Sequence, residues 1–227
     1  MGSLQVLALL LLVVATTASF KLKVHRHLPT RFAKHFHHNP RDFVLALDLA
    51  IGRPKQWGEF VIDTCSADIT VTMCKPGLTS TELNPCFDWS KSSTFKRLSD
   101  DSASDSLILS GDERKINATF LTSNTQASYL GKVGFGWPSL RKHKDDTLYP
   151  DITNFGFSLS IGLDDCMAMI ILGPGCTTNA QTLHLPVTSK SYWQFAVSEI
   201  TFGAIKEPTN AQVVIASNKE YFGMPKK

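Results

Sequence analysis

The 227-residue chain has little helical patterning, no two cysteines two to four residues apart, and no hydrophobic run long enough to span a bilayer. Apolar residues spaced three and four apart are scarce, which argues against a helical bundle. The cysteine spacing excludes the usual zinc frameworks, so no metal is expected, and no other cofactor. The one long apolar run, residues 4–15, is broken by Gln5 and is too short for a membrane span. Acidic residues are missing from the first 41 positions, which carry Lys21, Lys23, Arg26, Arg31, Lys34 and Arg41. The formal charge of +3 is therefore unevenly distributed, because the rest of the chain holds seventeen basic residues against twenty acidic ones. A net-negative body gives no electrostatic basis for nucleic-acid binding. With 43% apolar and 19% charged residues the chain also lies outside the composition of disordered proteins.

The apolar run at residues 4–15, followed by Ala15, Thr16, Thr17, Ala18 and Ser19, predicts a cleaved secretory leader over residues 1–18. The mature protein is then expected to be secreted or lysosomal/lumenal, with no membrane partner after cleavage. Five of the seven histidines (His25, His27, His35, His37 and His38) fall within residues 19–41. That segment reads as a solvated basic pro-segment or tail. Metal binding and pH sensing are the alternative roles for its histidines. In an oxidising compartment the odd count of Cys65, Cys74, Cys86, Cys166 and Cys176 leaves one thiol over. Cys74 with Cys86, and Cys166 with Cys176, would each close a small loop and leave Cys65; other pairings stay open. Asn117-Ala118-Thr119 is a glycosylation sequon, expected at the surface.

From Asp42 onward the pattern is of short strands. The runs Phe43-Val44-Leu45-Ala46-Leu47 and Leu49-Ala50-Ile51 end at Gly52-Arg53-Pro54. Phe60-Val61-Ile62 leads into Asp63, and residues 69–72 alternate with period two. Further strands are expected at residues 107–109, 118–121, 157–161, 167–172, 195–202 and 212–215. The polar stretch 99–106 reads as an exposed loop. Phe155, Phe157, Phe195, Trp137, Trp193 and Tyr192 read as core. The fold class is mainly β, a sandwich or barrel.

Two stretches carry the chemistry. Asp48-Leu49-Ala50-Ile51-Gly52-Arg53-Pro54-Lys55-Gln56 precedes Phe60-Val61-Ile62-Asp63-Thr64-Cys65-Ser66-Ala67-Asp68. Together they resemble the N-terminal half of a pepsin-like aspartic endopeptidase, in which a strand pair and a Gly-Thr-Pro turn lead to Asp-Thr-Gly-Ser-Ser. Further matches follow in order. Val71 to Cys74, with Cys86, resembles that family's next strand and small disulfide loop. Asp88-Trp89-Ser90-Lys91-Ser92-Ser93-Thr94-Phe95 and Gly131-Lys132-Val133-Gly134-Phe135-Gly136-Trp137-Pro138-Ser139 resemble its later motifs. So do Leu185-Pro186-Val187-Thr188 and Tyr192-Trp193-Gln194.

The resemblance implies a pepsin-like acid-protease fold, with an N-terminal lobe at residues 42–154 and part of a C-terminal lobe at 155–227. It implies aspartic-type endopeptidase activity, in which two carboxylates share one proton and activate a water. It also implies that the Thr after each Asp ties the lobes together. Asp63, Thr64 and Ser66 match the first catalytic motif, with Cys65 where the family has Gly. Counting back from Pro225, the second motif falls on Ala216, Ser217 and Asn218, and a slip of one residue recovers no Asp. The 35 residues between Phe95 and Gly131 contain no Tyr-Gly-x-Gly flap, and Lys132 stands where an apolar residue is usual. Of the other carboxylates, Asp146 precedes a Thr but follows His143-Lys144-Asp145 and not an apolar strand, and Asp164-Asp165, at the end of a strand beside Cys166, reads as a loop.

The expectation is thus a catalytically impaired relative, inactive as a monomer, that binds a peptide or protein. Asp63 would then be a turn aspartate capping its own loop. The alternatives are an active homodimer that pairs two copies of Asp63, and a truncated product with exposed strand edges.

Overall fold

The computed structural model describes residues 20–27, 44–82, 84–109, 115–125, 127–142, 157–160, 168–172 and 184–218; at 20–27, 44, 109, 157–160, 168–172 and 202 it describes the backbone alone. The protein is mainly β, and six of its strands close into a barrel. The expected leader and the cysteines Cys166 and Cys176 lie outside the described residues, as do Asp146, Asp164, Asp165 and Phe155.

The strands in chain order are β1 (Phe20–His27), β2 (Val44–Ile51), β3 (Gln56–Asp63), β4 (Thr70–Thr72), β5 (Lys96–Arg97), β6 (Ser102–Leu109), β7 (Lys115–Ser123), β8 (Gly131–Gly134), β9 (Phe157–Ser160), β10 (Ala168–Leu172), β11 (Gln194–Phe202) and β12 (Ile205–Val214). Around the barrel, β2 pairs with β3, β3 with β8, β8 with β4, β4 with β7, β7 with β6, and β6 returns to β2. Closure leaves none of the six barrel strands as an open edge, and β5 and β9 are the outer strands of the sheet. Two of the pairings, β3 with β8 and β4 with β7, are parallel, and both lie beside the Asp63 loop. Outside the barrel, β1 joins β2 on one side and β10 on the other, with β9 beyond. The first part of the expected basic segment is therefore a paired strand.

The barrel interior follows from the apolar runs read in the sequence. Leu47, Leu49 and Ile51 of β2, Phe60 and Ile62 of β3, Ile69, Phe87, Leu107, Phe120 and Phe135 are all fully buried. Burying one such side chain contributes about 1.5–3 kcal/mol, so this cluster is the main source of stability. The β2–β3 turn needs Gly52, whose φ of +83° suits glycine; a Cβ there would also stand 2.9 Å from the Ser92 hydroxyl.

Residues 102–106, expected as an exposed loop, are instead the first half of β6. Ser102, Asp105 and Ser106 are buried. The Asp105 carboxylate accepts hydrogen bonds from the Ser92 hydroxyl at 2.7 Å, the Thr94 hydroxyl at 2.5 Å and the Ser106 amide at 2.7 Å. Hydropathy patterning cannot anticipate a strand whose buried carboxylate is satisfied by hydroxyls from a distant segment. The same Ser92 hydroxyl accepts the Arg53 amide at 3.0 Å, and the Gly52 amide donates to the Ser106 carbonyl at 2.9 Å. The polar cluster therefore clamps the β2–β3 turn onto β6.

A short 3-10 turn at Trp89–Lys91 is tied to the start of β3 by two bonds between the Gln56 side chain and the Asp88 backbone, each 2.9 Å. Hydrogen bonds from the Ser90 hydroxyl and the Lys91 ammonium hold the Asp88 carboxyl below the usual carboxylate range. The Cys74–Cys86 disulfide is formed and closes the loop expected from the sequence.

β11 and β12 make a separate two-stranded hairpin. It begins seven residues earlier on β12 than expected, because Lys206, Glu207, Thr209 and Asn210 hide a strand that faces solvent. Pro208 is accommodated next to the bulge between Val197 and Glu199. Tyr192, expected in the core, is 37% exposed, as are Ile205, Val214 and Ile215 to a greater degree. Among the described residues, no helix is long and apolar enough to cross a membrane.

Candidate functional site

Parallel pairing of β3 with β8 brings the ends of both strands, Asp63 and Gly134, side by side. The chain then turns back over residues 63–68, and the strand that follows pairs with the other edge of β8. Asp63 is 5% exposed. Its carbonyl accepts the Phe135 amide at 2.8 Å, and its Oδ1 accepts the Cys65 amide at 2.9 Å. The loop is held from the end of β8 and the residues just after it by two further bonds, from the Gly134 amide to the Asp68 carbonyl at 3.1 Å and from the Gly136 amide to the Ser66 carbonyl at 2.6 Å. Both oxygens of the buried Asp68 carboxylate accept the Lys142 amide, at 3.1 and 3.2 Å. Gly134 is required by close approach, since a Cβ would sit 2.6 Å from the Ala67 backbone. The half-buried Ser66 hydroxyl accepts the Asp68 amide at 3.4 Å.

A second loop meets the first. The Thr64 amide donates to the Ser217 hydroxyl at 3.1 Å, and the Ser217 amide donates to the Thr64 hydroxyl at 2.9 Å. The Thr64 hydroxyl donates to the Ile215 carbonyl at 2.7 Å, while the Ser217 hydroxyl donates to the Ile62 carbonyl at 2.7 Å. These four bonds are reciprocal, so each group on one loop has its counterpart on the other. Thr64 corresponds to Ser217 and Ile62 to Ile215, which leaves Asp63 corresponding to Ala216. Cys65 and Asn218 correspond in the same way.

The side chains at those last two positions fit without backbone strain. Among the described residues no non-glycine residue has a positive φ, so the turn at Cys65 tolerates a Cβ. Cys65 is a half-buried thiol whose Sγ lies 3.9 Å from the Ile215 carbonyl. Asn218 Oδ1 is buried without a hydrogen-bond partner. Lys132 is half-buried, its ammonium 6.0 Å from the Tyr129 ring centroid.

Aromatic contacts reinforce the junction between hairpin and barrel. Trp137 and Trp193 pack edge to face with centroids 4.7 Å apart, and the Trp193 indole donates to the Phe135 carbonyl at 2.6 Å. The Ser139 hydroxyl donates to the Lys190 carbonyl. Trp137 and Trp193 are thus half-buried staples rather than core side chains.

Asn117 is exposed on β7, opposite Ser106 of β6. The β6–β7 connection at 110–114 lies outside the described residues. Among the described residues no three His, Cys, Asp or Glu side chains gather as a metal site would require. No family model and no curated protein matches this chain.

The Thr64–Ser217 contact gives a direct mutational expectation. Ser217→Ala removes the acceptor for the Thr64 amide and the donor to the Ile62 carbonyl, a loss of about 1–3 kcal/mol for buried groups left unsatisfied. The hairpin is expected to come loose before the barrel unfolds, and limited proteolysis within residues 184–218 reads this as faster cleavage.

Proposed function

We propose that this chain is a secreted or lumenal relative of the pepsin-like aspartic endopeptidases that binds a peptide or protein without cleaving it. On this reading residues 1–18 are a cleaved leader, 19–41 a basic pro-segment or tail, 42–154 the N-terminal lobe and 155–227 part of a C-terminal lobe. The observation that carries the reading is the reciprocal bonding of Thr64 and Ser217, which makes Ala216 the counterpart of Asp63. Peptide hydrolysis by a carboxylate pair needs one ionised member to deprotonate water and one protonated member to polarise the carbonyl. A methyl group at Ala216 can do neither. Loss of positioned proton transfer alone costs about 10²–10⁴ in rate. Asp63 instead receives the Cys65 amide and closes its own turn, a structural role that needs no second carboxylate.

The dimeric alternative is disfavoured by the same bonds. A two-fold copy supplying a second Asp63 would need the Thr64 amide and hydroxyl, and both are already engaged by Ser217 and Ile215. Purified protein incubated with a denatured protein substrate between pH 3 and 6 is expected to release no more fragments than its Asp63→Asn variant. Cleavage that disappears in Asp63→Asn would overturn the non-catalytic reading, and a dimer on a sizing column would then favour the paired alternative.

A further inference from the structure

A hollow lies at the end of β3 away from Asp63. Three segments distant in sequence build it: Trp57 and Glu59 from the start of β3, Glu82 and Pro85 from the disulfide-bridged loop, and Ser128 and Tyr129 from the approach to β8. Its volume is about 670 Å³. Six residue steps along β3 at about 3.3 Å each put Trp57 roughly 20 Å from Asp63, so the two places are separate.

The walls are fixed. The Cys74–Cys86 disulfide anchors the loop, and Thr81 and Asn84 exchange backbone bonds of 3.3 and 3.2 Å across its tip. The Leu130 amide binds the Glu59 carbonyl at 2.8 Å and seats the Tyr129 segment against β3. Trp57 is nonetheless 56% exposed, which leaves a large aromatic face turned to solvent on a rigid strand. The lining combines this indole and the Tyr129 phenol with two carboxylates, and among the described residues it contains no Lys, Arg or His.

Aromatic faces attract cations through their quadrupole, and nearby carboxylates add a field of the same sense. The Lys132 ammonium already stands 6.0 Å from the Tyr129 ring centroid, so the exposed Trp57 indole is the face that suits an incoming cation. A guanidinium suits the hollow better than an ammonium. It stacks flat on an indole while its planar fork reaches a carboxylate with two parallel bonds. We propose that this hollow binds an arginine side chain of a basic peptide, held between Trp57 and the Glu82 carboxylate.

The test is calorimetric titration of the intact protein with acetyl-Arg-Arg-Arg-amide. Saturable binding is expected. It should weaken by about tenfold in Trp57→Ala and in Glu82→Gln, and weaken further as salt rises from about 0.05 to 0.5 M. The matching citrulline peptide keeps the shape, loses the charge, and should not bind. Asp63→Asn should bind as the parent does, which separates this site from the Asp63 loop. No saturation with the arginine peptide, equal binding of the citrulline peptide, or unchanged affinity in both Trp57→Ala and Glu82→Gln would each overturn the proposal. Both substituted side chains are exposed, so a melting curve close to the parent's is expected for each variant.

Discussion

Asp105→Ala is expected to lower the unfolding free energy by about 3–5 kcal/mol, a loss that few single substitutions reach. The carboxylate is 2% exposed and accepts three hydrogen bonds, from Ser92, Thr94 and the Ser106 amide. Bonds to a charged group contribute about 1.5–3 kcal/mol each, and removing the acceptor leaves buried donors with nothing to bind. The damage extends beyond the cluster, because Ser92 also holds the Arg53 amide and so the turn that joins β2 to β3. Asp105→Asn retains an acceptor and nearly the same shape. Hydroxyl donors can also rotate to become acceptors for its amide, so its cost should be about half as large. Urea unfolding of the three proteins measures the effect as a falling midpoint at unchanged slope. Equal midpoints for parent and Asp105→Ala would mean that the cluster contributes nothing to the barrel.

That carboxylate also marks where sequence reading loses sight of the fold. β2 and β3 are legible because Leu45–Leu47 and Phe60–Ile62 are apolar runs bounded by Gly52 and Pro54, and burial on both faces leaves that signature. β6 is illegible over residues 102–106 because three of its buried side chains are polar, and its carboxylate, Asp105, finds partners in Ser92 and Thr94, ten or more residues away in sequence. The start of β12 is hidden for the opposite reason, since its residues face solvent and no pattern is imposed on them. At the candidate site, Asp63 and Thr64 stand out by their neighbours. Ala216, by contrast, finds its register in the sequence only through its distance from Pro225. The bonds that relate Ala216 to Asp63 involve the carbonyls of Ile62 and Ile215, groups that every residue carries and no sequence motif reports. The hollow beside Trp57 escapes for a similar reason. Its three walls meet only after the barrel closes and the Cys74–Cys86 disulfide folds the loop back.

Ala216→Asp is expected to make stability fall as pH rises through the weakly acidic range. The introduced carboxylate occupies the counterpart of Asp63 across the Thr64–Ser217 bonds, in surroundings that leave Asp63 only 5% exposed. Two like charges about 4 Å apart at an effective dielectric of about 20 repel by about 4 kcal/mol. The variant pair therefore keeps one proton well above the ordinary carboxylate value of about 4, and its upper titration is raised in the folded state. A raised carboxylate stabilises the fold below the unfolded value, and that contribution is lost as pH climbs through the folded one. The difference in urea midpoint between parent and variant should be small near pH 3 and widen steadily to pH 7. Ala216→Asn, equal in bulk and uncharged, should show a difference that does not depend on pH. Adding Asp63→Asn to the Ala216→Asp protein should abolish the dependence, since the repulsion belongs to the pair and not to either member. A pH-independent difference for Ala216→Asp itself would mean that the two positions do not face each other. The pairing inferred from the four bonds would then fail, and with it the observation on which the proposed non-catalytic reading rests.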